Sequence, residues 1–351
     1  MDLFTPLALG DLRLRNRIVM APMTRSRSSV DATPNELMVE YYRQRAGAGL
    51  IVSEGIAPNA DGLGYCRTPG LYTSKQVAAW RKVTDAVHDE GGTIVAQLMH
   101  VGRVSNRLNK PDGAETVAPS AIAARGEIYT DQAGMQALDT PRALTIEEIT
   151  GVAEGYRRAT QNAYDAGFDG VELHCTSGYL PAQFLSTGSN QREDEYGGSV
   201  GNRCRFVLEV LSAISSVGGP GKVGMRICPG NPFNDLKDEN PEETFTCLLK
   251  QASAMGLAYL HVIRMPSAGI DNIALGQRFF ADSLIGNDSY RFDEATQAIA
   301  DGGLSAVSFG RAFIANPDLP IRWASGAKLA RLDPGTLYTP GADGYTSYPK
   351  L

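Results

Sequence analysis

The sequence contains few of the residues that build disulfide-stabilised or metal-binding proteins. Its five cysteines are odd in number, widely spaced and include no C-x-x-C pair, which predicts reduced thiols rather than a disulfide framework. Its four histidines occur in no H-E-x-x-H motif, and none has a carboxylate at metal-ligand spacing. We therefore predict that the protein holds no catalytic metal.

Long apolar runs and an excess of positive charge are also missing. No window approaches the roughly 18 apolar residues of a membrane span, and the first residues lack a basic segment followed by an apolar one. With 33 lysines and arginines against 39 aspartates and glutamates, the net charge of −6 is unfavourable for binding nucleic acid. The composition, 43% hydrophobic and 21% charged, is that of a folded globular protein. We expect a cytoplasmic protein without a membrane or nucleic-acid partner, and the sequence does not predict its oligomeric state.

Eight short β-branched runs alternate with longer amphipathic segments, which predicts strand–helix units and a parallel sheet. Eight such units close a (β/α)8 TIM barrel, and no shift in composition marks a boundary, so we predict one domain over residues 1–351. The predicted strands are 17–20, 50–54, 93–99, 170–173, 222–227, 259–263, 282–286 and 306–310. The predicted helices are 35–45, 74–90, 146–166, 200–216, 241–255, 272–280, 292–300 and 317–326.

The connection after the third predicted strand is unusually long. It covers residues 105–145 and is rich in Pro, Gly, Ala and Asp. Barrel enzymes build their active sites from the loops that follow strands, so we expect this excursion to be a flap over a substrate site. The helix behind it begins with a capping-box pattern, Thr145 followed by Glu148.

Glycine turns follow the seventh and eighth predicted strands, as Gly286-Asn287 and Gly310-Arg311. A glycine turn that leads into a helix exposes backbone N–H groups that bind phosphate. A tight turn without a ligand is the alternative, and the residues alone leave both interpretations open. No G-x-G-x-x-G or Walker motif occurs, so any dinucleotide must bind at the mouth of the barrel.

Three polar side chains near the other strand ends carry further chemical information. His174 and Tyr179 follow the fourth strand and offer an imidazole and a phenol, which together can polarise a carbonyl and deliver a proton. Structural roles are the alternative for both. Arg226 lies in an apolar strand, where a permanent charge requires an anion or an electron-rich partner. A buried salt bridge to Glu54 or Glu172 is the alternative there.

Long motifs occur in one order over nearly the whole chain. They are LFTPL at 3–7, NRIVMAPMTR at 16–25, YYRQRAGAGLIVSEG at 41–55, AQLMHVGR at 96–103, GFDGVELH at 167–174, QFLSTGSNQREDEYGGSVGNR at 183–203, SFGRAFIANPD at 308–318 and GADGYTSYP at 341–349. This set resembles the old yellow enzyme family of FMN-dependent ene-reductases. The resemblance implies an oxidoreductase that takes a hydride from NAD(P)H and reduces the C=C bond of α,β-unsaturated carbonyl or related activated alkenes by a ping-pong mechanism.

The resemblance also implies roles for residues that hold the FMN. Thr24 resembles the hydroxyl that hydrogen-bonds flavin O4, and Gln97 resembles the amide that pairs with the pyrimidine edge. Arg226 resembles the arginine beside flavin N1 and O2, where positive charge stabilises the reduced anionic flavin. The other implied cofactor-binding residues are Pro22, Met23, Gly55, Gly286, Asn287, Gly310 and Arg311, the last four as the phosphate seat.

On the substrate side, the resemblance implies that His174 binds the carbonyl or nitro oxygen. Tyr179 then supplies a proton to the α-carbon while the flavin N5 hydride goes to the β-carbon. Tyr65 and Tyr338 resemble aromatic walls of the pocket.

The sequence departs from the family pattern at three positions. Ser177 is a substrate-binding residue that stands where the family usually has His or Asn, and its hydroxyl reaches less far. Met99, also substrate-binding, stands where tryptophan is common, which predicts a roomier pocket. Asp288 follows the phosphate-loop pair, and we predict that it faces solvent because it would repel phosphate. The weakened anchor leaves two alternatives open: a flavin-bearing binding or redox protein, and a flavin-dependent isomerase or dehydrogenase with weak ene-reductase activity.

Overall fold

A computed structural model describes residues 2–351 and shows eight parallel strands in a closed barrel. Each strand pairs with its neighbours in chain order, and the last pairs with the first. The barrel strands are β1 (Ile18–Met20), β2 (Leu50–Ile56), β3 (Ile94–Leu98), β4 (Gly170–Cys175), β5 (Val223–Ile227), β6 (Tyr259–Ile263), β7 (Leu284–Asn287) and β8 (Ala306–Phe309). The predicted TIM barrel is confirmed, with strand ends within about two residues of the predicted ones.

Helices surround the barrel. They are α1 (Glu36–Gln44), α2 (Ser74–Asp89), α3 (Ile146–Asp165), α4 (Leu180–Leu185), α5 (Val200–Gly218), α6 (Pro241–Ser253), α7 (Asn272–Phe280), α8 (Phe292–Ala300), α9 (Arg311–Ala315) and α10 (Leu319–Ser325). Helices α4 and α9 were not predicted, because helices of six and five residues are too short to show a helical period in the sequence. Within residues 2–351, none of these helices has the length and apolarity needed to cross a membrane.

The capping box predicted for α3 is present. Thr145 Oγ1 accepts a hydrogen bond from the Glu148 backbone N–H at 3.2 Å, and Glu148 Oε2 accepts one from the Thr145 N–H at 2.8 Å. Two N–H groups that have no partner inside the helix are thereby satisfied, which fixes where the long excursion ends and α3 begins.

An N-terminal hairpin closes the bottom of the barrel, at the amino ends of its strands. Its strands, Leu7–Leu9 and Leu12–Leu14, turn buried leucines toward Val95 and Tyr259 in the barrel interior. Gly224 makes room for Tyr259, because a Cβ on that glycine would lie 2.2 Å from the tyrosine ring. The lower half of the interior is therefore packed and apolar, so polar chemistry is confined to the carboxyl ends of the strands.

The excursion between β3 and α3 contains two small sheets. One pairs Val117–Ala118 with Arg142–Ala143, and the other is an antiparallel hairpin of Glu127–Thr130 and Gly134–Ala137. We call the second sheet, residues 127–137, the rim hairpin. It contributes side chains to the cavity described next.

Candidate active site

A cavity of about 850 Å³ opens at the carboxyl ends of the barrel strands. This volume lies in the range of sites that bind small molecules and cofactors. The predicted site residues on its wall are Pro22, Thr24, Gly55, Tyr65, Gln97, Met99, His174, Ser177, Tyr179, Arg226 and Tyr338. The fold thus brings residues predicted for the cofactor and residues predicted for the substrate into one cavity.

Part of this wall depends on a close approach between β2 and the segment after β3. A Cβ on Gly55 would lie 2.4 Å from Met99 Sδ, so a larger residue would displace the methionine. Met99 is buried and packs with Tyr179 and Tyr65. The thioether therefore fills space directly beside the predicted proton donor.

Arg226 is held inside the barrel by neutral partners. Its Nη2 donates to Asn287 Oδ1 at 2.6 Å, and its Nη1 lies 2.7 Å from Nε2 of His261. The register of β5 and β6 sets Arg226 opposite His261, and His261 Nε2 also lies 2.7 Å from Ser308 Oγ. Burial lowers the pKa of Arg226, but a guanidinium keeps its charge in proteins.

The negative charge that balances Arg226 lies one side chain further away, on Glu172. Its carboxylate accepts from Gln97 Nε2 at 2.8 Å and from His261 Nδ1 at 2.9 Å. Burial lowers the pKa of His261 to about 4, so a neutral ring protonated at Nδ1 bridges the carboxylate and the guanidinium. In residues 2–351, Arg226 forms no ion pair with Glu172 or Glu54. The alternative of a direct salt bridge is therefore wrong, because His261 occupies the space between the two charges.

Desolvation and charge act in opposite directions on Glu172. Burial by itself raises the pKa of this carboxyl, but the nearby His261 and Arg226 hold the pKa below its usual value. Glu172 and His261 are both 0% exposed. The carboxylate is therefore ionised at neutral pH, and these contacts offset the free-energy cost of burying its charge.

His174 and Tyr179 lie side by side, with ring centroids 5.1 Å apart. Burial and the nearby Arg226 lower the pKa of His174 to about 3, and its Nδ1 has no partner among the described residues. Burial raises the pKa of Tyr179 well above its ordinary value, and its hydroxyl donates to Tyr65 Oη at 3.1 Å. At neutral pH the site therefore presents a neutral imidazole beside a protonated phenol.

Ser177 lies in a tight turn between these two side chains. Its φ of +59° and that of Gly178, +80°, are both left-handed, and Asn234 Nδ2 donates to the Ser177 carbonyl at 2.7 Å. The turn brings the chain back so that Tyr179 is the N-cap residue of helix α4. Ser177 is on the cavity wall, where its short side chain offers one hydroxyl in place of a longer amide or imidazole.

Five predicted cofactor residues lie outside the lining of this cavity: Met23, Gly286, Asn287, Gly310 and Arg311. Asn287 uses its side chain to hold Arg226 and to donate to the Ser308 carbonyl at 3.1 Å. Met23 packs against Gly310, where a Cβ would lie 3.2 Å from the methionine sulfur. Arg311 is exposed, as is Asp288, which agrees with the predicted orientation of Asp288 toward solvent. The phosphate seat stays a prediction.

The role of His261 was not predicted from the sequence, and Glu172 was predicted only as a possible direct partner of Arg226. Both are polar residues in otherwise apolar strands, which is the signal that could have identified them. Glu172 also precedes His174 by two positions, so both point to the same face of the strand. Further residues line the cavity at its rim and were not predicted, among them Cys66, Arg67, Ile128, Tyr129, Asp131, Met135 and Phe233.

Comparison with known proteins agrees with this architecture. The family described as NADH:flavin oxidoreductase / NADH oxidase matches residues 2–330. The chain is 41% identical over 352 residues to the Leishmania infantum protein named "Probable flavin mononucleotide-dependent alkene reductase", covering 98% of this chain and 96% of that one. It is 46% identical to morphinone reductase solved in complex with tetrahydroNAD, with a TM-score of 0.95 and coverage of 100% and 98%. It is 38% identical to the old yellow enzyme homologue from Zymomonas mobilis, with a TM-score of 0.95 and full coverage of both chains, 100% and 100%. The chain therefore belongs to the old yellow enzyme family and is an NAD(P)H-dependent FMN oxidoreductase.

Proposed function

We propose that this protein reduces the C=C bond of α,β-unsaturated carbonyl compounds or related electron-poor alkenes, and that NAD(P)H and substrate react in ping-pong order. The observation that carries the proposal is the pairing of a neutral His174 with a protonated Tyr179, 5.1 Å apart between ring centroids. The same cavity wall contains Gln97 and Arg226. A hydrogen-bond donor for an oxygen and an acid for a carbon are what reduction of an activated alkene requires.

The wall residues fit the isoalloxazine ring of FMN. Gln97 donates to Glu172, which leaves its carbonyl oxygen to accept from the imide N–H of the ring. Arg226 supplies a fixed positive charge for the N1 and O2 edge, and the hydroxyl of Thr24 can donate to O4. When bound there, FMN would supply the hydride for the β-carbon of the alkene. The turns at Gly286 and Gly310 remain the candidate seat for its phosphate.

His174 orients and activates the substrate in this proposal. As a neutral imidazole it donates one N–H to the carbonyl or nitro oxygen, where negative charge develops during the reaction. A hydrogen bond to such a developing charge contributes on the order of 3 kcal/mol to the transition state. Burial keeps the pKa of His174 at about 3, so the ring stays a neutral donor over the whole neutral pH range.

Tyr179 holds the proton that goes to the α-carbon. Its raised pKa keeps the phenol protonated throughout the neutral pH range, and the 3.1 Å contact with Tyr65 fixes its oxygen beside the substrate position. The O–H must turn from Tyr65 toward the α-carbon as the proton leaves. Tyr65 then remains as a hydrogen-bond partner for the phenolate oxygen.

A single cavity supports the ping-pong order. The chain has no G-x-G-x-x-G motif for a separate nucleotide site, so NAD(P)H and the alkene would occupy the same cavity in turn. Morphinone reductase, which shares the fold, has been solved in complex with tetrahydroNAD.

An anaerobic titration of the FMN-loaded protein tests the proposal. NAD(P)H is added first and 2-cyclohexenone second, while the yellow flavin absorbance is followed. We expect the band to bleach on NAD(P)H and to return on the enone. A band that bleaches but does not return with any activated alkene would contradict the substrate class and favour the redox or isomerase alternative, with Ser177 as the first residue to vary.

The role of Tyr179 is tested by Tyr179→Phe, with Tyr164→Phe as the control because Tyr164 lies on helix α3, outside the lining of the cavity. We expect Tyr179→Phe to slow reoxidation of the reduced enzyme by 2-cyclohexenone about 100-fold or more, with flavin reduction by NAD(P)H changed less than about twofold. Stopped-flow absorbance measures both half-reactions. Equal loss in both half-reactions would rule out a role as proton donor.

A further inference from the structure

The rim of the cavity is assembled from three segments that are far apart in the chain. They are the loop of residues 65–68 after β2, the rim hairpin, and residues 334–340 near the C-terminus, which we call the tail segment. All three contribute residues to the cavity wall. None of them is part of the barrel sheet, so the shape of the cavity mouth depends on side-chain contacts between these segments.

The side chain of Arg67 contacts the rim hairpin, the tail segment and the loop after β1. It forms an ion pair with Asp131 of the rim hairpin, and its Nη2 donates to the Tyr338 carbonyl of the tail segment at 3.1 Å. Its Nε donates to the Ser26 carbonyl, in the loop after β1, at 3.0 Å. A planar guanidinium can serve three partners in different directions, which a lysine ammonium on a flexible stem does less well.

The backbone around Arg67 is organised to hold this position. Its φ is +52°, a left-handed conformation that non-glycine residues seldom adopt, and its carbonyl accepts from the Ser28 N–H at 3.1 Å. The Arg67 side chain is 16% exposed whereas that of Asp131 is 40% exposed. The guanidinium is therefore largely enclosed by the segments that it joins. The same loop carries Tyr65, which accepts the hydrogen bond of the proton donor Tyr179.

The tail segment has separate anchors deeper in the structure. Arg25 Nε donates to the Leu337 carbonyl at 3.1 Å, and Arg27 Nη1 donates to the same carbonyl at 2.6 Å. Arg27 Nη2 also donates to Thr339 Oγ1 at 3.3 Å, so these arginines anchor the tail on both sides of Tyr338, whereas Arg67 joins Tyr338 itself to the rim hairpin. Loss of Arg67 should consequently free the rim without unfolding the tail.

We propose that Arg67 is a positioning residue that holds the rim hairpin and the tail segment over the substrate site. It sets the affinity for substrate without touching the reacting atoms, because a mouth fixed in advance does not have to be ordered when substrate binds. The kinetic part of this inference rests on the proposed function. The structural part concerns the resting protein and stands independently.

Hydrogen exchange of the full-length resting protein, followed by mass spectrometry, tests the structural part. In Arg67→Ala we expect exchange to accelerate about tenfold in the rim hairpin and to a smaller extent in the tail segment, which Arg25 and Arg27 still anchor. Asp131→Asn should accelerate exchange in the hairpin alone, and Arg67→Lys should give an intermediate result. Arg142→Ala is the matched control, because Arg142 pairs with Glu115 at 2.6 Å and Glu148 at 2.8 Å at the base of the same excursion.

Steady-state kinetics with 2-cyclohexenone tests the link to substrate. We expect Arg67→Ala to raise KM about tenfold and to change kcat less than about twofold, with partial recovery in Arg67→Lys and no change in Arg142→Ala. Unchanged exchange in Arg67→Ala would overturn the proposal whatever the activity, and faster exchange with an unchanged KM would overturn its link to substrate affinity. A wild-type protein that does not reduce any activated alkene would count against the proposed function, while the exchange data would still decide the role of Arg67.

Discussion

Replacing Glu172 with glutamine would remove the charge that balances Arg226 while keeping the size of the side chain. In the structure, Glu172 accepts from Gln97 and from His261, and His261 in turn accepts from Arg226. A glutamine oxygen can still accept from His261 Nδ1, but the amide nitrogen then faces the Nε2 donor of Gln97, so the substitution removes the negative charge and one hydrogen bond. The buried guanidinium is left without a counter-charge.

The size of the effect follows from this geometry. Removing one partner of a buried ion pair costs about 3–5 kcal/mol, and we expect the lower end because His261 separates the two charges. An unfolding entropy of roughly 2.1 cal/mol/K per residue over 351 residues amounts to about 0.7 kcal/mol/K. The melting temperature of Glu172→Gln should therefore fall by about 4 °C.

Calorimetry of the FMN-free and FMN-loaded proteins at pH 7 measures this change. Glu154→Gln is the control, because Glu154 forms an exposed helical pair with Arg157 and its loss should leave the melting temperature unchanged. In the loaded variant we also expect a higher reduction potential, since an unbalanced Arg226 favours the anionic reduced flavin. A melting temperature within about 1 °C of wild type, or a lower potential, would refute the reasoning.

Two further predictions concern Ser177 and Glu54. Ser177→Asn should raise kcat/KM for 2-cyclohexenone about tenfold, because the longer amide reaches further toward an oxygen bound by His174 and asparagine tolerates the φ of +59°; a decrease would show that the pocket is adapted to serine. Burial raises the pKa of Glu54 from 4.5 to about 7. Protonation of this carboxyl therefore contributes about 3 kcal/mol to the free energy of unfolding. The contribution is fully present below pH 4.5 and is lost as the pH rises through the pKa of the folded protein. In thermal unfolding, we expect the melting temperature of wild type to fall relative to that of Glu54→Gln between about pH 5 and pH 8. A difference in melting temperature that is constant with pH would contradict the raised pKa of Glu54.

The barrel was predictable from the sequence because its strands are buried on both faces. Such strands read as short, nearly continuous apolar runs, and RIVM and KVGMRI are examples. Some residues of the candidate site could be predicted for a related reason. A polar residue within or just after such a run has a high cost of burial and so marks a site, as with His174 and Arg226, whereas the role of Gln97 was implied only by the resemblance to the old yellow enzyme family. Helices α4 and α9 were missed because five or six residues do not show a period.

The sequence by itself determined the TIM barrel and nearly half of the residues on the cavity wall, through local patterns, the rule that barrel sites form at the carboxyl ends of strands, and the resemblance to the old yellow enzyme family. Tertiary structure decided the partners of those residues. Arg226 bonds His261, 35 positions away, rather than a carboxylate, and Arg67 holds Tyr338, 271 positions away. Such contacts depend on strand register and on how loops fold over the mouth, and a local pattern carries no information about side chains that meet only after the barrel has closed.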